Sequence, residues 1–344
     1  MLKVGVIGAS GYTGGELLRL LVRHPKVKIT AVSARTSVGQ TLEDINPALN
    51  VPDLDLKIAA PEAVDDCEVV FLAVPHGVSS ELAVDLIKAG QKVIDLGADF
   101  RLKDRGVYEK WYQQEHGAPE LLGDAVYGLP EIHRDQIRKS TLIGNPGCYP
   151  TSIILALAPI LKAGIGNLNS IIINSLSGVS GAGRGLGERY HFSHCAGNLT
   201  AYGVGSHRHL PEIEQELSGL VDSEVRISFT PHLVPAVRGI LTTITLGVDS
   251  LQSTDELIAL YREFYQNEFF IRIQPPGVLP QTKYVIGSNF CDLGAVYDSR
   301  TRRAVIVSAI DNLGKGAASQ AVQNLNIMAG WSERLGIDHP AMYP

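Results

Sequence analysis

MLKVGVIGASGYTGGELLRLL, Met1 to Leu21, is the stretch whose reading decides the fold. Leu2–Ile7 is a short apolar run bounded by glycine and reads as a buried strand, and Gly14–His24 has the apolar spacing of an amphipathic helix. Between them stands Gly8-Ala9-Ser10-Gly11-Tyr12-Thr13-Gly14. Glycines at a strand-to-helix turn let the backbone approach a pyrophosphate, which the free N–H groups of the helix start then hold. The spacing is GxxGxxG, less specific than GxGxxG, and a tight turn without a ligand is the plain alternative. Its place at the head of a βαβ unit favours the nucleotide reading, with Gly8, Ser10, Gly11, Tyr12, Thr13 and Gly14 as the contacts.

The pattern continues outward. Lys28–Ala34, Val69–Val74 and Lys92–Leu96 read as further strands, with Ser79–Ala89 a helix between the last two. Such alternation predicts a Rossmann-type doubly wound parallel sheet with helices on both faces. After about residue 150 the texture changes. Ile153–Leu161 reads as helix and Ser170–Leu176 as strand. Val225–Phe229, Gly239–Val248, Phe290–Tyr297 and Arg303–Ile310 are β-rich, with helices at Pro211–Leu220, Thr254–Asn267 and Gly314–Trp331. The second region is therefore expected to be an α+β domain with a mixed, largely antiparallel sheet.

The chain has 344 residues, enough for two domains with substantial cores. A formal charge of −6 argues against a general nucleic-acid surface. Its four cysteines, Cys67, Cys148, Cys195 and Cys291, lie far apart without CxxC spacing, so neither a disulfide framework nor a zinc site is expected. No signal peptide or long apolar span is evident, and a soluble cytoplasmic protein without bound metal is expected.

At the end of the second strand an acidic residue would bind the ribose 2′-hydroxyl of NAD. This chain has Ser33-Ala34-Arg35-Thr36-Ser37 instead. A guanidinium flanked by hydroxyls suits a 2′-phosphate, so NADP(H) is expected, held by Ser33, Arg35 and Ser37. A solvated surface arginine is the alternative.

Ile143-Gly144-Asn145-Pro146-Gly147-Cys148-Tyr149-Pro150-Thr151 joins a strand to an apolar helix. Pro150 suits a first helical turn, which puts Cys148 at a helix N-terminus, where the dipole favours thiolate. On setting alone Cys148 reads equally as a nucleophile or a small core residue. Ser206-His207-Arg208-His209 precedes a helix and offers two side chains able to exchange protons near neutral pH.

GNPGCYPT at 144–151 resembles the active-site segment of the N-acetyl-γ-glutamyl-phosphate reductases, a family of arginine biosynthesis. The resemblance extends through GASGYTGGELLRLL (8–21), Asp99-Phe100-Arg101, SGVSGAGRG (177–185), SHRHLPEIEQ (206–215) and DNLGKGAASQAVQNLN (311–326). These motifs span nearly the whole chain. The family shares its plan with aspartate-semialdehyde dehydrogenase and, more distantly, glyceraldehyde-3-phosphate dehydrogenase. The resemblance implies an NADPH-dependent reductase that forms a thioester on Cys148, with His207, and second to it His209, as acid–base group.

By the same resemblance Arg101 holds the substrate phosphate, although a structural ion pair is its alternative. Asn145 becomes a substrate contact and Asn312 lies near the nicotinamide; Ser177–Arg184, with no helical periodicity after it, reads as a flexible substrate-side loop with Ser180 and Arg184 as contact candidates, and Arg238 faces either substrate or solvent. The nucleotide domain is expected to be 1–147 plus 313–344, with 148–312 the catalytic and oligomerisation domain, and a homo-oligomer, dimer or tetramer, is implied. Rival readings are a reductase of carrier-bound aminoadipyl phosphate, aspartate-semialdehyde dehydrogenase, a nucleotide-sensing protein with a dead site, and a cysteine hydrolase. The last would have no use for the glycine loop.

Overall fold

Leu2–Ile7 forms β1 because its apolar residues can be covered on both faces, and from Val4 onward every residue of the strand is buried. The computed structural model describes residues 1–34, 37–51, 54, 56–60 and 63–343. By internal contacts the chain divides into two compact units, 1–147 with 317–339 and 148–316 with 340–344.

In the first unit β1 is followed by α1 (Tyr12–Leu21), β2 (Val27–Ser33) and α2 (Leu42–Ile45). Next come β3 (Val69–Leu72), α3 (Ser79–Lys88), β4 (Lys92–Asp95) and α4 (Arg105–Tyr112), then β5 (Val126–Tyr127), α5 (Pro130–Lys139) and β6 (Leu142–Gly144). The sheet order is β2-β1-β3-β4-β6-β5, and every pairing is parallel. Val-Val-Phe-Leu of β3 is buried throughout, as a strand covered on both faces must be. Helix α1 begins at Tyr12, two residues earlier than its periodicity suggested, because Gly11 serves as N-cap with extended backbone.

The second unit opens with α6 (Cys148–Lys162), followed by β7 (Ile172–Gly178), α7 (Phe192–Cys195), β8 (Thr200–Ala201) and α8 (Leu210–Val221). Then come β9 (Ser228–Val234), β10 (Ile240–Gly247), α9 (Thr254–Phe264), β11 (Ile271–Ile273), β12 (Cys291–Asp298) and β13 (Arg303–Ile310). The sheet order is β11-β12-β13-β10-β7-β9-β8. Pairs β7–β9 and β11–β12 are parallel and the other four antiparallel, so the sheet is mixed and largely antiparallel. A π turn at Gly314–Ala318 leads from β13 into α10 (Ser319–Met328) where a single helix over 314–331 was expected. Gly316 N–H donates to Asp311 O at 2.9 Å, the five-residue spacing of that turn.

Helix α6 begins at Cys148, five residues before the expected start, since Pro150 is compatible with a first turn. Its Ser152 hydroxyl lies 2.9 Å from both the Thr242 and the Ser308 hydroxyl of β10 and β13, donating to one and accepting from the other, which pins the helix to the sheet. Pro159 inside the helix has no N–H for Leu155 O. The Tyr265 hydroxyl supplies the missing donor at 2.6 Å, so the proline leaves no buried carbonyl unpaired. Tyr265→Phe is expected to cost about 1–3 kcal/mol, the penalty of an unsatisfied buried carbonyl, measurable by urea unfolding. An unchanged midpoint would show that Leu155 O finds another partner.

Strand β9 runs from Ser228 to Val234, whereas the composition suggested Val225–Phe229. Pro231 obscured it. Proline is tolerated here because β8 covers only His232 and Leu233 on the outer side, and Pro231 O still accepts from Tyr202 N–H at 3.1 Å. No helix among the described residues is long and apolar enough to cross a membrane.

Candidate active site

The first unit presents the glycine turn. Gly8 has φ +95°, and a Cβ there would come within 2.2 Å of Ala73 O, so only glycine fits. A Cβ on Gly14 would meet Gly8 O at the same distance, which lets α1 start directly against the turn. Gly11 caps α1 without a side-chain hydrogen bond, leaving the helix-start N–H groups for another acceptor. Gly8 and Ala9 N–H both donate to Ser33 O, which sets the end of β2 beside the loop. The Ser33 hydroxyl is buried without a hydrogen-bond partner among the described residues. Ser37 is half-buried, Tyr12 exposed, and Arg35 and Thr36 lie outside the described residues.

At the carboxyl ends of β4 and β6 the same unit holds a buried polar cluster. Arg101 donates from Nε to Asn145 O and from Nη2 to Leu96 O, each at 2.8 Å. Asn145 N–H donates to Asp95 O, its Nδ2 donates to Ala317 O, and its Oδ1 accepts from Asn324. Asn145, the expected substrate contact, is thus tied into this cluster. Its backbone and side-chain groups hold the strand ends together three residues ahead of Cys148. Arg101, expected as a phosphate ligand, is likewise buried and engaged with backbone carbonyls. Burial, then the Asp99 carboxylate nearby, pushes the Asp95 carboxyl up to about 7. Asp99, although buried, is held below the usual carboxylate range by Gly77 and Ser80 N–H and by the Tyr108 and Ser79 hydroxyls.

Cys148, the first residue of α6 in the second unit, is half-buried. A Cβ on Gly316 would approach its Cβ to 2.8 Å, so the π turn passes against the cysteine with no room for a side chain. Cys67 and Cys291 are buried, each beside a hydroxyl, and Cys195 ends α7. Of the four, Cys148 alone begins a helix, as its sequence context predicted.

His207 and His209 do not follow either simple geometry, an extended pair or a helical pair. They form a turn in which His209 N–H donates to His207 Nδ1 at 3.1 Å and the two rings meet with centroids 4.9 Å apart. Tyr149, Tyr202 and Phe229 box the His207 ring at 5.4–5.6 Å. The Tyr149 and Tyr202 hydroxyls lie 2.9 Å apart. Burial in that box, with the Arg208 charge adding to it, pushes His207 down to about 4. The expectation that His207 titrates near neutrality is thus corrected. At neutral pH its ring is uncharged, and because Nδ1 accepts a hydrogen bond its proton sits on Nε2.

Sequence reasoning missed the tyrosine pair, since aromatic residues so far apart carry no local signal. It also left Arg238 undecided between substrate and solvent. Arg238 is bound through Nε and Nη2 to the buried Asp311 carboxylate, which also accepts from Gly287, Leu313 and Gly314 N–H. Asn312 accepts from Gly239 N–H and donates to the Ser180 hydroxyl at 2.9 Å, so its amide links these loops of the second unit. Ser180 is buried in an ordered turn, Val179–Ala182, rather than in a flexible loop, and Arg184 is exposed beyond it.

The family model for the semialdehyde dehydrogenase NAD binding domain matches residues 3–140, and that for the semialdehyde dehydrogenase dimerisation domain matches 148–312. The first region is a nicotinamide-nucleotide-binding domain. Aspartate semialdehyde dehydrogenase II of Vibrio cholerae superposes with a TM-score of 0.75 over 96% of this chain and 98% of its own, at 18% identity. The Candida albicans enzyme, solved with NADP, gives 0.72 over the same shares, also at 18% identity. That likeness establishes the fold. Sequence relatives go further. The N-acetyl-γ-glutamyl-phosphate reductases of Desulforamulus reducens and Acetivibrio thermocellus are each 51% identical to this chain, with all of both chains covered. Half of all positions shared from end to end, with the cysteine at the head of its helix and the paired histidines in their aromatic box, place the chain in the N-acetyl-γ-glutamyl-phosphate reductase family.

Proposed function

We propose that the chain reduces N-acetyl-L-glutamyl 5-phosphate to N-acetyl-L-glutamate 5-semialdehyde and phosphate, with NADPH as reductant and Cys148 as the nucleophile. The observation that carries this reading is the end-to-end identity with relatives of that name. The carrier-bound aminoadipyl and aspartyl substrates have no comparable support.

The described residues fit a dinucleotide. The Gly8 and Gly14 positions exclude a Cβ, the N-terminus of α1 is uncapped, and the buried Ser33 hydroxyl needs a partner. Gly8 through Gly14 would hold the pyrophosphate, and Ser33, Arg35 and Ser37 the ribose side. When bound, the reduced nicotinamide supplies the hydride that turns the thioester into a thiohemiacetal.

The remaining steps belong to the chain. Cys148 Sγ attacks the acyl carbon as thiolate, favoured by the N-terminus of α6, and the bond to phosphate breaks. After reduction the carbon–sulfur bond breaks and the aldehyde leaves, returning the sulfur as thiolate. Sulfur thus needs no base within the cycle, and the one proton consumed goes to the departing phosphate. His207, neutral with its proton on Nε2, stabilises the oxygen charge of both tetrahedral states as a donor. His209 carries the exchangeable proton. Arg101 and Asn145 position the segment that delivers Cys148.

The direct test is the reverse reaction, with N-acetylglutamate semialdehyde, phosphate and NADP, alongside aspartate semialdehyde. Faster turnover of aspartate semialdehyde would overturn the substrate assignment. For the cofactor, Arg35→Ala is expected to weaken NADPH binding by about 1.5–3 kcal/mol, the scale of a charge-assisted bond to phosphate, with NADH nearly unaffected in the same fluorescence titration. An equal loss for both nucleotides would remove Arg35 from the 2′-phosphate site. The chain also self-associates into a homo-oligomer through residues 148–312, the span of the dimerisation-domain match.

A further inference from the structure

The second unit holds hydroxyl groups beside Cys148 that the steps above do not use. Tyr149, the next residue in the first turn of α6, is buried, and its ring packs against His207, His209 and Phe229. Its hydroxyl meets two others. The Tyr202 hydroxyl stands 2.9 Å away, and the Ser177 hydroxyl near the end of β7 hydrogen-bonds it as well. Ser177 in turn donates to Gly178 O at 3.0 Å. The three hydroxyls form a chain, Ser177–Tyr149–Tyr202, that runs from the sheet to the edge of the His207 ring. Ser177 is buried at one end. Tyr202 is half-buried at the other, fixed to β9 by its N–H bond to Pro231 O.

Each hydroxyl has one proton and can donate it once. While Ser177 donates to Gly178 O, Tyr149 donates to Ser177 and Tyr202 to Tyr149, so every proton is spent inside the chain. A negative charge in front of Tyr202 turns all three. Tyr202 then donates outward, Tyr149 donates to Tyr202 and Ser177 to Tyr149, and each bond strengthens the next. Only hydrogen atoms move, and no buried hydroxyl loses its acceptor. Such a charge arises at Cys148. Burial pushes Tyr202 up to about 12, with the Cys148 charge adding to it, and the same two causes help to raise Tyr149. Both phenols are therefore protonated at neutral pH, and both feel the charge of the thiolate.

During the reaction that charge passes from sulfur to the oxygen of the carbon bonded to it. We propose that the Tyr202 hydroxyl is a catalytic hydrogen-bond donor to this oxygen in the tetrahedral states, beside His207, and that Tyr149 is a positioning residue acting through Tyr202. The donor is aligned before the charge develops, which is what makes such a group effective. It transfers no proton, so it complements a histidine that is itself neutral. This inference rests on the thioester at Cys148 proposed above, and not on the identity of the acyl group.

Steady-state kinetics with N-acetylglutamate semialdehyde, phosphate and NADP on the wild type, Tyr202→Phe, Tyr149→Phe and the double variant test it. Phenylalanine keeps the ring and removes only the oxygen. In Tyr202→Phe the Tyr149 hydroxyl still has Ser177 as acceptor, so the urea midpoint and nucleotide affinity should stay at wild-type values. Tyr202→Phe is expected to lower kcat about 10²-fold, the loss on removing one oxyanion donor, with KM nearly unchanged. The loss should be the same across the neutral pH range, because the phenol does not titrate there. Tyr149→Phe should lower kcat less, and in the double variant it should add nothing to the loss from Tyr202→Phe. Full turnover by Tyr202→Phe, a loss confined to KM, or additive losses in the double variant would overturn the proposal. Wild-type turnover by Cys148→Ser would remove the thioester and with it the oxygen that Tyr202 serves. A wild type that prefers aspartate semialdehyde would sink only the substrate assignment, and the same four proteins compared on that substrate would still decide the role of Tyr202.

Discussion

Cys148→Ser is expected to lower turnover by about 10⁴-fold or more, the scale on which loss of a nucleophile acts, while NADPH binding stays intact. The sulfur must attack as an anion, and a serine hydroxyl in the same place lacks both the acidity of a thiol and a dedicated base. His207 is no substitute, since its Nδ1 is engaged by His209 N–H and the other nitrogen carries the proton. Single-turnover mixing of enzyme and substrate should show no burst of phosphate from the variant. Phosphate release at the wild-type rate would mean that no thioester forms on residue 148. Alkylation by iodoacetamide offers an independent view. Cys148 is expected to react ahead of Cys67 and Cys291, which are buried, and substrate should protect it.

Replacing the two histidines one at a time is expected to separate two kinds of help. His207→Asn should cost about 10²–10³ in turnover, the usual loss on removing an oxyanion donor, uniformly across pH. Its own titration lies near 4, so the limb of the pH–rate profile near neutrality is not its own. His209→Asn should lower turnover through lost proton transfer. If His207→Asn removes a limb of the profile and His209→Asn leaves turnover unchanged, the two roles are exchanged. The same shift has a consequence for stability. The unfolded chain takes up the His207 proton at its ordinary value of 6.5, the folded chain only near 4. Stability on this account is fully present above 6.5 and is lost as pH falls toward 4. His207→Asn should flatten that part of the acid unfolding curve, and an unchanged curve would mean that the ring is not buried uncharged.

The depth to which the sequence was legible varied with the range of the interactions involved. The GxxGxxG turn, the buried run of β3 and the proline in the first turn of α6 are each local, and each stands where the residues place it. Ends of elements were less legible. Pro231 hid β9, because whether a proline interrupts a strand depends on which neighbour faces its missing N–H. The helix expected from Gly314 starts instead as a π turn, whose close passage against Cys148 requires a glycine at 316. Arg101, Asn145 and Asn312 carry the residue types of ligand contacts, and their bonds to carbonyl and N–H groups far away in the chain could not be read from the sequence.

By itself the sequence determined the two-part architecture, the nucleotide turn, the cysteine at a helix start and, through motifs spread over the chain, the family. Those features rest on backbone periodicity, on glycine and proline stereochemistry and on residues adjacent in sequence, so they can be read without coordinates. Only the tertiary structure decided the state of the histidines proposed to take part in the chemistry. It closes Tyr149, Tyr202 and Phe229 around His207 and turns His209 N–H onto its ring. The charge of an imidazole depends on solvent removed and on hydrogen bonds made by residues far away in the chain, and those quantities exist only once the chain has folded.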